Sequence, residues 1–197
     1  MMIDANSADA LSTALSTASR WSIPVTTVGG PTLSNPRSRF KVASNKGSPR
    51  IDRNCFGLLS VDRALVPGMV RRAHGTVIHI GSIAGHQTYP GGNVYCATKH
   101  AVRALTDGLR QDLLGSGVRV LTVDPGMVDT EFSEVRFHGD RRRAEAVYSG
   151  LTPLSAEDVA DVVVFAATRP PHVSLAQVLL LPTDQASTTQ VHRRRRE

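Results

Sequence analysis

Three side chains near the middle of this 197-residue chain have the types and spacing for proton chemistry: Ser82, Tyr95 and Lys99. Tyr95 and Lys99 are four apart, so on a helix they share one face. A free phenol has a pKa near ~10 and is a poor base at neutral pH. An ammonium group one helical turn away favours the phenolate and lowers that value, and an oxidised nicotinamide ring nearby would push the same way. A serine hydroxyl facing the phenol can hold a substrate oxygen by hydrogen bond. The set suits proton transfer at an alcohol or carbonyl during hydride transfer. Tyr-x-x-x-Lys alone is an ordinary surface pair on a helix. Ser82, thirteen residues upstream across a Gly-rich connection, gives the pair its meaning.

The elements that must position these groups are legible around them. Thr76-Val77-Ile78-His79-Ile80 is an apolar, β-branched run that ends in Gly81-Ser82 and continues through Gly85, Gly91 and Gly92. A helical pattern begins near Asn93, and Gly115-Ser116-Gly117 stops it. A short apolar strand emptying into a polar, Gly-rich loop is how a parallel α/β sheet presents chemistry at its carboxyl edge. Residues 118–123 read as another buried strand, and Asp124-Pro125-Gly126 ends it at the same edge. A helix is expected over 56–71 from Leu58, Leu59, Val61, Leu65 and Val66, with Pro67 as a point of bending. Ser155-Ala156-Glu157-Asp158 has capping-box spacing and starts a helix over 159–167. Val178-Leu179-Leu180-Leu181 reads as the last strand, and the charged stretch 136–148 as a mobile lid.

With Asn54 in RNCFG and the later Pro125-Gly126-Met127-Val128-Asp129-Thr130, these residues resemble the short-chain dehydrogenase/reductase family, over roughly residues 54–193 and more weakly before that. TEFSEVRFHGD (130–140) and LPTDQASTTQVHR (181–193) are similar to the branch that acts on serine, allo-threonine and other 3-hydroxy acids with NADP. The resemblance implies an oxidoreductase moving hydride between NADP, or NAD, and a secondary alcohol or ketone. It implies Tyr95 as general acid/base, Lys99 as the group that lowers its pKa and binds the nicotinamide ribose, and Ser82 as the holder of the substrate oxygen. Asn54 by itself is a plain helix cap. The resemblance implies instead a polar kink in a helix, whose backbone holds a water in a proton relay to Lys99. Pro125, Gly126, Val128 and Thr130 would line the nicotinamide side. Arg136 is the candidate for a bidentate pair with a substrate carboxylate. His79, His86, His100, His138, His172 and His192 show no ligand spacing and read as structural or exposed, and no metal site is expected.

The first fifty residues are rich in Ser, Thr and Ala and match more poorly. Met1-Met2-Ile3-Asp4 reads as the end of a strand, residues 8–20 as a helix capped by Ser7, and residues 23–28 as a strand running into Gly29-Gly30. The resemblance implies that Asp4 contacts the adenine side and that Gly30 closes a cofactor loop. Nothing in the chain reads as TGxxxGxG after a strand. In this family that turn and the following helix N-terminus hold the cofactor pyrophosphate. The expected fold is therefore α/β, a doubly wound Rossmann-like parallel sheet lacking its first two βα units. It is read as a single domain with a poorly matching part (1–50), a catalytic core (51–192) and a basic tail (193–197). NADP binding by this chain is expected to be weak. The alternative is a catalytically impaired or non-catalytic truncated remnant that only oligomerises.

Composition narrows the partners. No apolar run approaches the ~20 residues a membrane span needs, and the N-terminus carries no secretory pattern. Cys55 and Cys96 form neither a metal spacing nor a disulfide framework, which points to a cytoplasmic protein. Half of the formal net charge of +6 sits in residues 193–197 and reads as a solvated end. No nucleic-acid or membrane partner is expected. A small alcohol or carbonyl substrate is expected, and a homodimer or homotetramer. Pairing would use the helices beginning near Asn54 and Asn93, through outward-facing Leu59, Val66, Val102, Leu105 and Leu109.

Overall fold

Alternation of side chains along a strand, and the need to cover both faces of a parallel sheet, account for most of the architecture. The computed structural model describes residues 51–130, 142 and 147–194. The elements expected around Asp4, over 8–20 and over 23–28, the Gly30 loop, Arg136 and most of the 136–148 stretch lie outside the described residues. Within them run α1 (Leu58–Arg71), β1 (Gly75–Ile80), α2 (Asn93–Asp112), β2 (Val118–Pro125), α3 (Ala156–Ala167) and β3 (Gln177–Leu180). The three strands form one parallel sheet in the order β1-β2-β3. β1 pairs with β2 from Gly75↔Val118 to Ile80↔Val123, and β2 pairs with β3 from Thr122↔Gln177 to Pro125↔Leu180. α2 connects β1 to β2, and α3 lies between β2 and β3.

On one face Ile78, Leu121 and Val123 meet Val163, Ala166 and Ala167 of α3. On the other, Val77 and Val120 meet Val66 and Met69 of α1, with Leu109 and Leu113 alongside. Both faces are thus covered by helix, which is why the strands read as continuous apolar runs. Leu121 is fully buried at the centre of the first cluster. Burying such a side chain is worth about 1.5–3 kcal/mol.

The same packing corrects the expected pairing surface. Val66 and Val102 are buried, and Leu109 packs against the core beneath α1 and α2. These three face inward. Leu59 remains exposed, and Leu65 and Val70 join it on the outside of α1.

Local signals explain the element ends. Ser155 Oγ accepts from the Asp158 N–H while the Asp158 carboxylate accepts from the Ser155 N–H, completing the capping box. α1 continues through Pro67, whose missing N–H falls on an exposed turn where water can serve the freed carbonyl. Ahead of α1, Asp52–Gly57 is a π-helical stretch and not ordinary helix. The last strand begins one residue earlier than its apolar run, at Gln177. No helix among the described residues is long and apolar enough to cross a membrane.

Beyond β3 the chain returns across the carboxyl edge as a strap. Thr188 donates its N–H to Gln87 Oε1 at 3.1 Å and its hydroxyl to the Thr88 carbonyl at 3.2 Å. The Arg193 guanidinium donates to the Ser149 and Val147 carbonyls, and the Arg194 N–H to the Gly150 carbonyl at 2.7 Å. Arg194 also pairs with Asp184 at 2.9 Å. The first two arginines of the basic run, though exposed, therefore hold a neighbouring segment and are not simply a solvated end.

Candidate active site

β1 ends by handing its last hydrogen bond to the loop: the Gly81 N–H donates to the Val123 carbonyl at 2.8 Å. Ser82 follows in extended backbone and caps a short 3-10 turn, Ile83–Gly85, its Oγ accepting from the Ala84 N–H at 3.1 Å. That bond uses an oxygen lone pair and leaves the hydroxyl hydrogen to be directed elsewhere. Gly85 lies so close to α2 that a Cβ there would come within 2.8 Å of the Lys99 carbonyl oxygen. The Ser82 loop is thereby seated on the helix that carries Tyr95 and Lys99.

Lys99 is buried, and its Nζ donates to the Ile80 carbonyl at 2.9 Å, at the end of β1. The same Nζ lies 5.9 Å from the centroid of the Tyr95 ring, within reach of a cation–π attraction. Burial pushes the Lys99 ammonium down to about 8; the charge of Asp124, and less so the Cys55 thiol, act in the opposite direction. Burial also raises the Cys55 thiol, against the pull of Lys99. A lysine poised this close to neutral pH is an unusual cation, and one that responds to small changes in its surroundings.

Asn54 sits in the π-helical stretch, the location at which an insertion in the helical ladder often marks function. Its amide donates to Thr98 Oγ1 at 3.0 Å, and Thr98 Oγ1 donates to the Tyr95 carbonyl at 2.8 Å. The π-helix is thus pinned to the turn of α2 between Tyr95 and Lys99. The side-chain amide serves that contact; it caps no helix, for Leu58 follows in unbroken helical backbone.

The Pro125-Gly126 turn lies at the same sheet edge. The Gly126 N–H donates to the Leu180 carbonyl at 2.8 Å, and the Met127 N–H to Gln185 Oε1 at 2.8 Å. The Val128 carbonyl accepts from the Tyr148 hydroxyl at 2.6 Å, and Val128 bridges to Leu154. Thr130, half-buried, closes the described part of this loop. The structure therefore brings Asn54, Ser82, Tyr95 and Lys99 to one cluster and fixes Pro125, Gly126, Val128 and Thr130 beside the neighbouring strand end. Asp4, Gly30 and Arg136 lie outside the described residues.

Two groups escaped the sequence reading. Gln185, buried, holds the loop after β2. Asp124, also buried, accepts through Oδ2 from His86 Nε2 at 2.8 Å, Gln177 Nε2 at 2.9 Å and Thr122 Oγ1 at 3.1 Å. His86 thus partners a buried carboxylate beside the site. The available signal was the Asp before Pro125-Gly126, a charged residue ending an otherwise apolar strand.

A buried ammonium beside a phenol, at the carboxyl edge of a parallel sheet, is donor chemistry that fits the diol of a nicotinamide ribose. The fold and this edge place the chain among Rossmann-like α/β proteins. The sequence profile described as short chain dehydrogenase matches residues 6–140, more than half of the chain, and the chain belongs to that family. It is 51% identical over 138 residues to an uncharacterized oxidoreductase of Mycobacterium tuberculosis, covering 70% of this chain and 55% of that one. It is 47% identical over 145 residues to the NADP-dependent 3-hydroxy acid dehydrogenase of Escherichia coli, covering 73% and 58%. Among solved structures, the closed form of serine dehydrogenase complexed with NADP+ matches with a TM-score of 0.69 at 47% identity, covering 73% of this chain and 58% of the other. The chain spans little more than half the length of these relatives.

Proposed function

We propose that this chain carries the catalytic part of an NADP-linked dehydrogenase that interconverts a secondary alcohol and a ketone, at the 3-position of a small hydroxy acid such as serine or allo-threonine. The observation that carries the reading is Lys99, buried beneath the Tyr95 ring and tied to the end of the strand that leads to Ser82. The likeness to the 3-hydroxy acid and serine dehydrogenases supports the substrate class and NADP.

When bound, the nicotinamide would supply the hydride acceptor or donor. The chain's own residues do the rest. The Ser82 hydroxyl holds the substrate oxygen. Tyr95 takes or gives the proton at that oxygen. Lys99 lowers the phenol's pKa through its charge and binds the ribose hydroxyls. Asn54, whose amide is engaged with Thr98, keeps the π-helical backbone in register beside Lys99, where that backbone can hold a relay water. Pro125, Gly126, Val128 and Thr130 form the wall on the nicotinamide side, and Arg136 is the proposed partner of the substrate carboxylate. Cys55 and Cys96 are free thiols, which supports a cytoplasmic setting.

The sheet is proposed to be doubly wound, with Asp4 and Gly30 as contacts on the adenine side. The 197 residues contain no TGxxxGxG turn. Each charge-assisted hydrogen bond to phosphate is worth roughly 1.5–3 kcal/mol, so losing several weakens binding by orders of magnitude. Isothermal titration of the folded chain with NADPH is therefore expected to give no saturation at micromolar concentrations. A micromolar or tighter dissociation constant would mean that another part of the chain holds the phosphates. The reaction itself is tested in a chimera carrying the amino-terminal βα units of the Escherichia coli relative. NADP-dependent oxidation of serine or another 3-hydroxy acid is the expected result. The second reading, a catalytically impaired or non-catalytic chain that only oligomerises, is suggested by the absent phosphate turn, and a folded, oligomeric chimera that binds NADPH yet turns over none of a panel of secondary alcohols would support it.

Assembly is proposed to be a homodimer or homotetramer built through α1 and α2. With Val66, Val102 and Leu109 turned inward, the exposed Leu59, Leu65 and Val70 supply the apolar contact on α1. Analytical ultracentrifugation at micromolar concentration is expected to show a dimer or larger; a folded, strictly monomeric species would count against it.

A further inference from the structure

We propose that Asp124, held in place by His86, is a positioning residue that governs the charge of Lys99 and so ties the sheet interior to the proton chemistry of the site.

The geometry runs through one peptide unit. The Lys99 ammonium donates to the Ile80 carbonyl. The next residue, Gly81, packs directly on the Asp124 carboxylate: a Cβ on Gly81 would fall 1.7 Å from Asp124 Oδ1. The Ile80–Gly81 peptide is therefore flanked by the ammonium at its oxygen and by the carboxylate at its α-carbon. Both charged groups are buried, Asp124 at 1% exposure and Lys99 at 8%, so little water screens them. Oδ2 of Asp124 is occupied by Thr122, His86 and Gln177. A carboxylate only accepts, so His86 Nε2 must carry its hydrogen toward it, which fixes the ring's tautomer. These three donors hold the carboxylate where its charge reaches Lys99.

The groups acting on Lys99 come from every side. Tyr95 stands on its own helix, Cys55 on the π-helical stretch, and Asp124, with His86 behind it, at the end of β2. Burial drives Lys99 toward neutrality, and Asp124 is the larger of the two charges that resist. A neutral Lys99 would give the Tyr95 phenolate no electrostatic support. The catalytic meaning of this arrangement rests on the oxidoreductase reading. The electrostatic link does not, and it can be measured without turnover.

Lysine occurs at only three positions, 41, 46 and 99, so carbon-13 labelling of lysine side chains gives an NMR spectrum in which Lys99 can be followed through a pH titration. The parent is expected to titrate at Lys99 near the value of about 8. In Asp124→Asn, removal of the carboxylate charge should lower that midpoint by about one unit. His86→Ala opens the carboxylate to water and should lower the midpoint by less; His86→Gln keeps a donor and should restore the parental value. Circular dichroism reports whether each variant is folded. If Asp124→Asn does not fold, the His86 pair decides. An unchanged or raised Lys99 midpoint in folded Asp124→Asn, or equal midpoints in His86→Ala and His86→Gln, overturns the proposal. A failed chimera assay alongside the expected shifts would remove the dehydrogenase reading and leave the electrostatic link standing.

Discussion

Tyr95→Phe is expected to lower turnover by about 10²–10⁴-fold, the worth of a positioned general acid or base, while leaving NADPH affinity nearly unchanged. The substitution removes one phenolic oxygen and keeps the ring. The contact of that ring with the Lys99 ammonium and the backbone carbonyl that anchors Thr98 both survive, so the loss falls on the proton and not on the frame. The comparison belongs in the chimera with the Escherichia coli amino-terminal units, where cofactor binding can be followed by NADPH fluorescence beside steady-state kinetics. A kcat near the parental value would mean that another group moves the proton, and the assignment of roles would fail.

The second large effect concerns stability. Gly81→Ala is expected to cost about 3 kcal/mol, toward the upper end for overpacking a buried site, and to leave little folded protein under mild denaturant. The new methyl would overlap Asp124 Oδ1, and the carboxylate has nowhere to retreat because its other oxygen is held by three partners. Gly108→Ala supplies the internal control. Gly108 lies within α2, and a Cβ there meets nothing within 4 Å, so alanine should stabilise by about 0.5–1 kcal/mol through helix propensity. Urea midpoints moving in opposite directions for the two variants are the expected outcome. Parental stability in Gly81→Ala would show that the Asp124 cluster yields easily.

Much of this arrangement was legible in the sequence, for physical reasons that also mark where legibility ends. The β1 run and the start of α2 are strong local signals, because a strand covered on both faces is largely apolar and the turn beyond it needs glycine. The Ser155 capping box is equally local: donor and acceptor lie three residues apart. The π-helical stretch is not. A ladder with one extra residue per turn leaves no distinct spacing in RNCFG, and the contact beside it is Asn54 to Thr98, forty-four positions away. The His86–Asp124 pair spans thirty-eight positions, and Gln185 reaches back fifty-eight to Met127. Such partners are chosen by how the strands stack. The sequence places Val66, Val102 and Leu109 outward because α1 and α2 are apolar on more than one arc. Only the packed sheet decides which arc it takes.

The strap across the carboxyl edge has a consequence for the order in which the molecule can become competent during synthesis. The loop after β2 receives its fixing bond from Gln185, and the loop after the 3-10 turn receives Thr188 from a hundred and one residues downstream. While the ribosome is still producing α3 and β3, the tyrosine and lysine can already be in place on α2. The wall opposite them cannot. A nascent chain would thus carry Tyr95 and Lys99 on α2 before Gln177 arrives to hold Asp124 and before the strap folds back, so slow codons or a stall between residues 156 and 185 should prolong a state in which the reactive pair stands without its pocket.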